Sequence, residues 1–190
     1  MTSFLGTIRR ESTDTPALFV DEKYQLISAI ISGEPLATTT EVIGRWPELV
    51  VQFYDAIDDS HNWPTLDLGQ LGRPINPSTV LCAGSNYRAH NAEKKGSPTS
   101  GKEPEFFIKT GDCVIGPNDE IIHDPLLTKK LDCETELAIV IGKPGRHIAV
   151  ENALDHVFGY TVANDVTARD RQGRTNDQGF TWYEIGRAHV

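Results

Sequence analysis

Long apolar runs are missing from this chain. No window of its 190 residues approaches the roughly 18 consecutive apolar positions that a membrane span needs, so a transmembrane helix is not expected. A basic excess is missing too: 18 Lys and Arg stand against 27 Asp and Glu, a formal charge of −9. That balance argues against non-specific nucleic-acid binding and against attachment to an anionic membrane surface. Cysteine is scarce, with Cys82, Cys113 and Cys133 forming an odd number without a C-x-x-C pair. Disulfide frameworks and zinc ribbons are therefore poor readings, and a reducing compartment, the cytoplasm, is the better one. The first residues, MTSFLGTIRRESTDTP, contain no apolar h-region of a secretory signal. With 38% hydrophobic and 24% charged residues, the chain has the means to build a core.

Two textures divide it. Residues 1–75 are rich in acidic and turn residues and contain no chemical motif, which suggests a small N-terminal module. Within it, Thr38–Thr40 followed by Glu41 is a helix entry, because hydroxyls there accept orphan first-turn amides. Val42, Ile43, Trp46, Leu49, Val50, Phe53 and Ile57 then recur at steps of three and four, the stripe of an amphipathic helix. Pro47 must start or kink that helix. From residue 76 onward, short apolar runs alternate with glycine and proline turns. Val80–Gly84, Glu105–Lys109, Leu131–Gly142 and Val157–Val166 read as strands, and Val150–His156 as one short helix. The pattern is that of an α+β, mainly β architecture.

The strand Leu131–Gly142 carries the first candidate site. Side chains alternate faces along a strand, so Asp132, Glu134 and Glu136 share one side, while Leu131, Cys133, Thr135 and Leu137 suit a core. Ala138–Ile141 is apolar on both faces and leads inward. Three carboxylates on one face repel unless they meet water or a cation. A second strand ends in Asn164-Asp165, and Asp165 is placed to complete a three-oxygen set with Glu134 and Glu136. All-oxygen ligation selects hard ions, Mg²⁺ first, with Mn²⁺ and Ca²⁺ as alternatives. An exposed edge strand with solvated acids accounts for the same pattern equally well.

His90 and Glu93 lie three apart and share a face if helical. A Glu beside a His supports general acid–base chemistry, although a surface ion pair is the commoner origin of that spacing.

Taken together, GSNYRAHNAE (84–93), EFFIK (105–109), GP (116–117), LDCETELAIVIGK (131–143) and GYTVANDVTARDRQ (159–172) resemble the fumarylacetoacetate hydrolase family in order and spacing. The resemblance implies a catalytic domain of compact β-roll type, here incomplete, over residues 76–184. It implies a divalent metal on Glu134, Glu136 and Asp165, and an acid–base dyad at His90 and Glu93. It also implies that Arg169 and Gln172 hold the oxo-acid end of a substrate; a guanidinium fork matches a carboxylate. The implied activity is metal-dependent hydrolysis of a C–C bond in a small β-dicarbonyl or oxo acid, acylpyruvate- or fumarylacetoacetate-like. Oxaloacetate tautomerisation or decarboxylation and hydroxymuconate-type isomerisation use the same site. A catalytically silent or truncated product is the further alternative. Family likeness also leans towards a homodimer.

The chain departs from the family pattern in three places. Ala89 stands where many members have an acid before the His, and Cys133 replaces a common aromatic. The family's catalytic lysine is expected some twenty residues after Asp165, where this chain reads EIGRAHV. Residues 185–190 back-translate as ATC GGA AGA GCA CAC GTC, which reads like a short-read sequencing adapter. They are expected to be read-through of library DNA, so Arg187 is assigned no role. A β-roll without its closing strands exposes unpaired edges, so the 190-residue chain is expected to be poorly soluble and inactive, and the implied activity is that of the full-length protein.

Overall fold

A computed structural model describes residues 1–84, 86–89, 105–171, 174–175 and 181–182. The chain opens with an antiparallel meander of β1 (Ser3–Arg10), β2 (Thr13–Val20) and β3 (Lys23–Leu26). Its two tight turns place Glu11 at φ 59° and Asp21 at φ 51°, left-handed positions that match the twist of a two-residue hairpin. As the central strand, β2 is covered on both faces. Leu18 and Val20 join Ile27, Ile31, Val42, Leu49, Phe53 and Trp63 in the main core, whereas Ala17 and Phe19 pack with Ile8 on the other side.

The helices follow the meander: α1 (Ile27–Ile30), α2 (Thr39–Gly44) and α3 (Trp46–Ile57). The expected helix entry is present as a capping box. The Thr38 hydroxyl accepts from the Glu41 N–H at 3.2 Å, and the Glu41 carboxylate accepts from the Thr38 N–H at 3.2 Å. The single amphipathic stripe is split in two at Arg45, because Pro47 lies in the first turn of α3 and has no amide to continue the earlier ladder.

The second part consists of antiparallel pairs. β4 (Thr79–Gly84) pairs with β5 (Glu105–Thr110), β6 (Leu131–Asp132) with β9 (Thr167–Ala168), and β7 (Thr135–Ile141) with β8 (Val157–Asn164). β10 (Arg174–Thr175) pairs with β11 (Thr181–Trp182). Val150–His156 is a 3₁₀ helix leading into β8. The architecture is α+β and mainly β. Among the described residues no helix is long and apolar enough to cross a membrane. A Cβ at Gly111 would lie 1.7 Å from the Pro77 carbonyl oxygen, so the close approach of these backbones at the open end of β4–β5 requires glycine.

Two expectations need correction. Leu131–Gly142 is not one strand, since it breaks at Cys133–Glu134 between β6 and β7. Nor do its outer residues enter a core: Leu137, Ile139 and Ile141 are 58%, 55% and 63% exposed, beside exposed Tyr160 and Val162 on β8. Leu81, Phe106 and Ile108 on β4–β5 are exposed in the same way. Apolar alternation in a strand records a face meant for cover, and no described segment covers these faces.

The two parts meet through aromatic and ionic contacts. Trp46 packs edge-on against Phe158, with ring centroids 4.9 Å apart. Arg9 of β1 binds Asp14 of β2 (Nε to Oδ1, 2.8 Å) and reaches Asp119 with both terminal nitrogens. Arg73 joins the same network through its Nε, 3.1 Å from Asp14 Oδ2. Burial pushes the Asp14 carboxyl up, but the hydrogen bonds from Arg9 and Arg73 outweigh it and hold Asp14 below its ordinary value. The Arg9 hydrogen bond likewise holds Asp119 low, against a smaller opposing effect of burial.

Candidate metal centre

The breaks in the two long hairpin strands lie side by side. The Asp165 N–H donates to the Glu134 carbonyl at 2.8 Å, and the Glu134 N–H donates to the Asn164 side-chain oxygen at 3.1 Å. Glu134 therefore sits at the step between β6 and β7, and Asp165 at the matching step between β8 and β9. Glu136 lies one turn of the pleat further along β7, opposite Ala163. From these three positions, one carboxylate oxygen each of Glu134, Glu136 and Asp165 lies within 4.8 Å of the others. Glu134 and Glu136 are half-buried and Asp165 is buried. The hydroxyl of buried Thr167 lies 3.1 Å from both Glu134 Oε2 and the Asp165 carbonyl, which orients the first carboxylate.

Such crowding has an electrostatic signature. Burial, followed by the charges of Asp165 and Glu134, pushes the Glu136 carboxyl above its ordinary value, with Lys109 pulling the other way. A site that holds its acids close and raises the pKa of one is short of positive charge. The donor set, three anionic oxygens without sulfur or imidazole among the described residues, suits a hard divalent cation.

Two cations from the chain border the carboxylates. Lys109 on β5 is buried, and its Nζ bonds Asp165 Oδ1. Arg169 places Nε 2.8 Å from Asp132 Oδ2 and a terminal nitrogen on Glu134 Oε1. Asp132 is thus drawn to Arg169, whose hydrogen bond lowers its pKa, and it does not join the three-carboxylate set. Arg169 is itself fixed through its backbone, which donates to the Lys130 carbonyl at 2.9 Å. Next to it, Asp170 accepts from the Thr128 hydroxyl and from the Lys129 N–H.

The structure brings Glu134, Glu136, Asp165 and Arg169 together. His90, Glu93 and Gln172 lie outside the described residues, as do residues 185–190. The segment just before His90 approaches the centre, since the Tyr87 hydroxyl accepts from the Leu137 N–H at 3.1 Å, one residue beyond Glu136. Sequence reasoning missed Lys109. EFFIK reads as a strand and its lysine is given no role there; in the fold it meets Asp165, 56 positions away. An apolar cleft of about 710 Å³ between β1–β2 and β7–β8, walled by Phe4, Trp46, Phe158 and Tyr160, includes none of the three carboxylates.

Residues 79–189 match the family model for the fumarylacetoacetate (FAA) hydrolase C-terminal domain. The chain is 45% identical over 107 residues to oxaloacetate tautomerase YisK of Bacillus subtilis, covering 55% of this chain and 36% of that protein. A solved fumarylacetoacetate hydrolase from Exiguobacterium antarcticum superposes with a TM-score of 0.69 at 32% identity, over 89% of this chain and 57% of that one. The maleylpyruvate hydrolase of Sphingobium sp. SYK-6, solved with manganese(II) and pyruvate, shares the fold at a TM-score of 0.70 and 24% identity, over 98% and 64% of the two chains. The chain spans a third to a half of the length of the curated relatives it matches. With the family model matched across more than half of its residues and its carboxylates brought together at the strand breaks, the chain belongs to the fumarylacetoacetate hydrolase family.

Proposed function

We propose that this protein acts on a small oxo acid by favouring its enol form, with a divalent cation held by Glu134, Glu136 and Asp165. The convergence of those carboxylates within 4.8 Å, beside the Arg169 guanidinium, is the observation that carries the reading. Mg²⁺ is the first candidate, with Mn²⁺ and Ca²⁺ fitting the same oxygens. When bound, the cation supplies Lewis acidity at the substrate's oxo group.

The chain's own residues do the rest. Arg169, with Gln172, binds the substrate carboxylate, which matches a guanidinium fork. For that purpose Arg169 is oriented by Asp132 and Glu134 while its side chain stays partly open to solvent. His90, assisted by Glu93, moves a proton. Taking it from the carbon beside the oxo group and returning it to oxygen is tautomerisation. Taking it from water that attacks the second carbonyl leads to C–C cleavage.

Tautomerisation of an oxaloacetate-like acid is the first reaction to test, because relatives named for that reaction match at 42–46% identity. Hydrolysis of an acylpyruvate-like acid is the second reading, favoured by likeness to a solved fumarylacetoacetate hydrolase at 32% identity. A homodimer is proposed as the working unit.

The test is a parallel assay of the purified full-length protein. Enol decay of oxaloacetate is followed by absorbance and pyruvate release from acylpyruvates by a coupled reaction, each with Mg²⁺ and with chelator. Metal-dependent acceleration of either reaction, with a KM raised at least about tenfold in Arg169→Met, is expected. Protein that binds metal yet accelerates neither reaction refutes the proposal.

A further inference from the structure

Resting on the metal reading above, we infer that Lys109 is a specificity-determining residue, a buried cation on one of the three metal carboxylates that discriminates against ions of higher charge. Among the described residues, the centre and its immediate partners carry four carboxylates, Asp132, Glu134, Glu136 and Asp165. They carry two cations, Arg169 on Asp132 and Glu134, and Lys109 on Asp165.

Lys109 is built to stay in this position. Its side chain is 3% exposed and that of Asp165 is 6% exposed, so the pair is almost wholly shielded from water. Its strand partner is Val80, and Asp165 is held from behind by the Glu134 carbonyl. Arg169 is different: at 30% side-chain exposure it has access to solvent and to a substrate. A fixed positive charge on one of the three metal carboxylates repels any ion that shares them, in proportion to that ion's charge. Lys109 thus weakens binding of all cations, and of trivalent ones most.

The experiment compares purified wild type with Lys109→Met, which keeps the length of the side chain and removes the charge. Mn²⁺ binding is measured by the electron paramagnetic resonance of free ion, and Tb³⁺ binding by its luminescence. Neither readout depends on turnover. The variant is expected to bind Mn²⁺ at least about tenfold more tightly and Tb³⁺ at least about thirtyfold more tightly, following the 2:3 ratio of ionic charge. Unchanged or weakened Mn²⁺ binding overturns the inference, as does an equal gain for both ions. If Lys109→Met does not fold in chelator, refolding in saturating Mn²⁺ is expected to recover it, because the ion replaces the missing charge. Failure to recover at saturating Mn²⁺ overturns the inference. Absence of Mn²⁺ binding by the wild type overturns the metal reading itself, and this one with it.

Discussion

Replacing Asp14 by Asn tests how the N-terminal meander is fastened to the segment that carries the site. The Asp14 carboxylate, with its side chain only 12% exposed, accepts from Arg9 Nε at 2.8 Å and Arg9 Nη2 at 3.2 Å. It also accepts from Arg73 Nε at 3.1 Å and the Arg73 N–H at 3.3 Å. Asn keeps one acceptor oxygen and turns an amide donor towards a guanidinium. A fully buried pair broken on one side costs roughly 3–5 kcal/mol. With Arg9 28% and Arg73 33% exposed, water recovers part of that, and about 2–3 kcal/mol remains. For a chain of this length the melting temperature falls by about 5–10 °C.

The pH dependence has a definite sign. Asp14 and Asp119 both have folded-state pKa values below the ordinary 3.8, so their stabilisation is fully present above that value. It is lost as pH falls through the lower, folded value. Thermal melts followed by circular dichroism should therefore show wild type above Asp14→Asn at about pH 7, with the two converging below about pH 4. A gap that persists unchanged to about pH 3, or no gap at neutral pH, refutes the electrostatic reasoning.

Three further outcomes follow from the same geometry. Gly72→Ala would bring a Cβ to 2.3 Å from Asp14 Oδ1 and 2.6 Å from the Thr7 hydroxyl, so it should lower the melting temperature much as Asp14→Asn does. An unshifted melt would show that the network yields freely. Phe53→Ala empties a side chain 2% exposed in the main core and should cost about 3–5 kcal/mol in denaturant unfolding, with Mn²⁺ affinity retained in the folded fraction. A loss below about 1 kcal/mol contradicts that core assignment. His90→Ala should leave Mn²⁺ binding within about twofold while removing turnover. Turnover equal to wild type sinks the acid–base assignment.

Much of the candidate site was legible because its carboxylates follow a local pattern. Glu134 and Glu136 stand two apart at the start of β7, and Asp165 follows the end of β8; pairing those strands brings the three together. The Thr38–Glu41 capping box was legible for the same reason, being contained within four residues. Other features depend on what lies across the fold. The hairpins β1–β2 and β2–β3 turn at Glu11 and Asp21, which adopt left-handed backbone without the Gly or Asn that usually announces it. The break at Cys133–Glu134 follows from the Asn164 side chain and Asp165 amide on the neighbouring strand, not from the LDCETE run itself. Lys109 could not be assigned from EFFIK, because its partner Asp165 lies 56 positions away.

The most direct test of the account is metal binding by wild type and Glu136→Gln. Glu136 is crowded by Asp165 and Glu134, so the neutral amide relieves repulsion and the variant should fold at least as well in chelator. Calorimetric titration should show one divalent ion bound per wild-type chain. In the variant, affinity should fall by more than about 100-fold, beyond the 10- to 100-fold typical for loss of an outer partner. Equal affinity in the two proteins, or no saturable binding by the wild type, contradicts the assignment of Glu134, Glu136 and Asp165 as a metal centre.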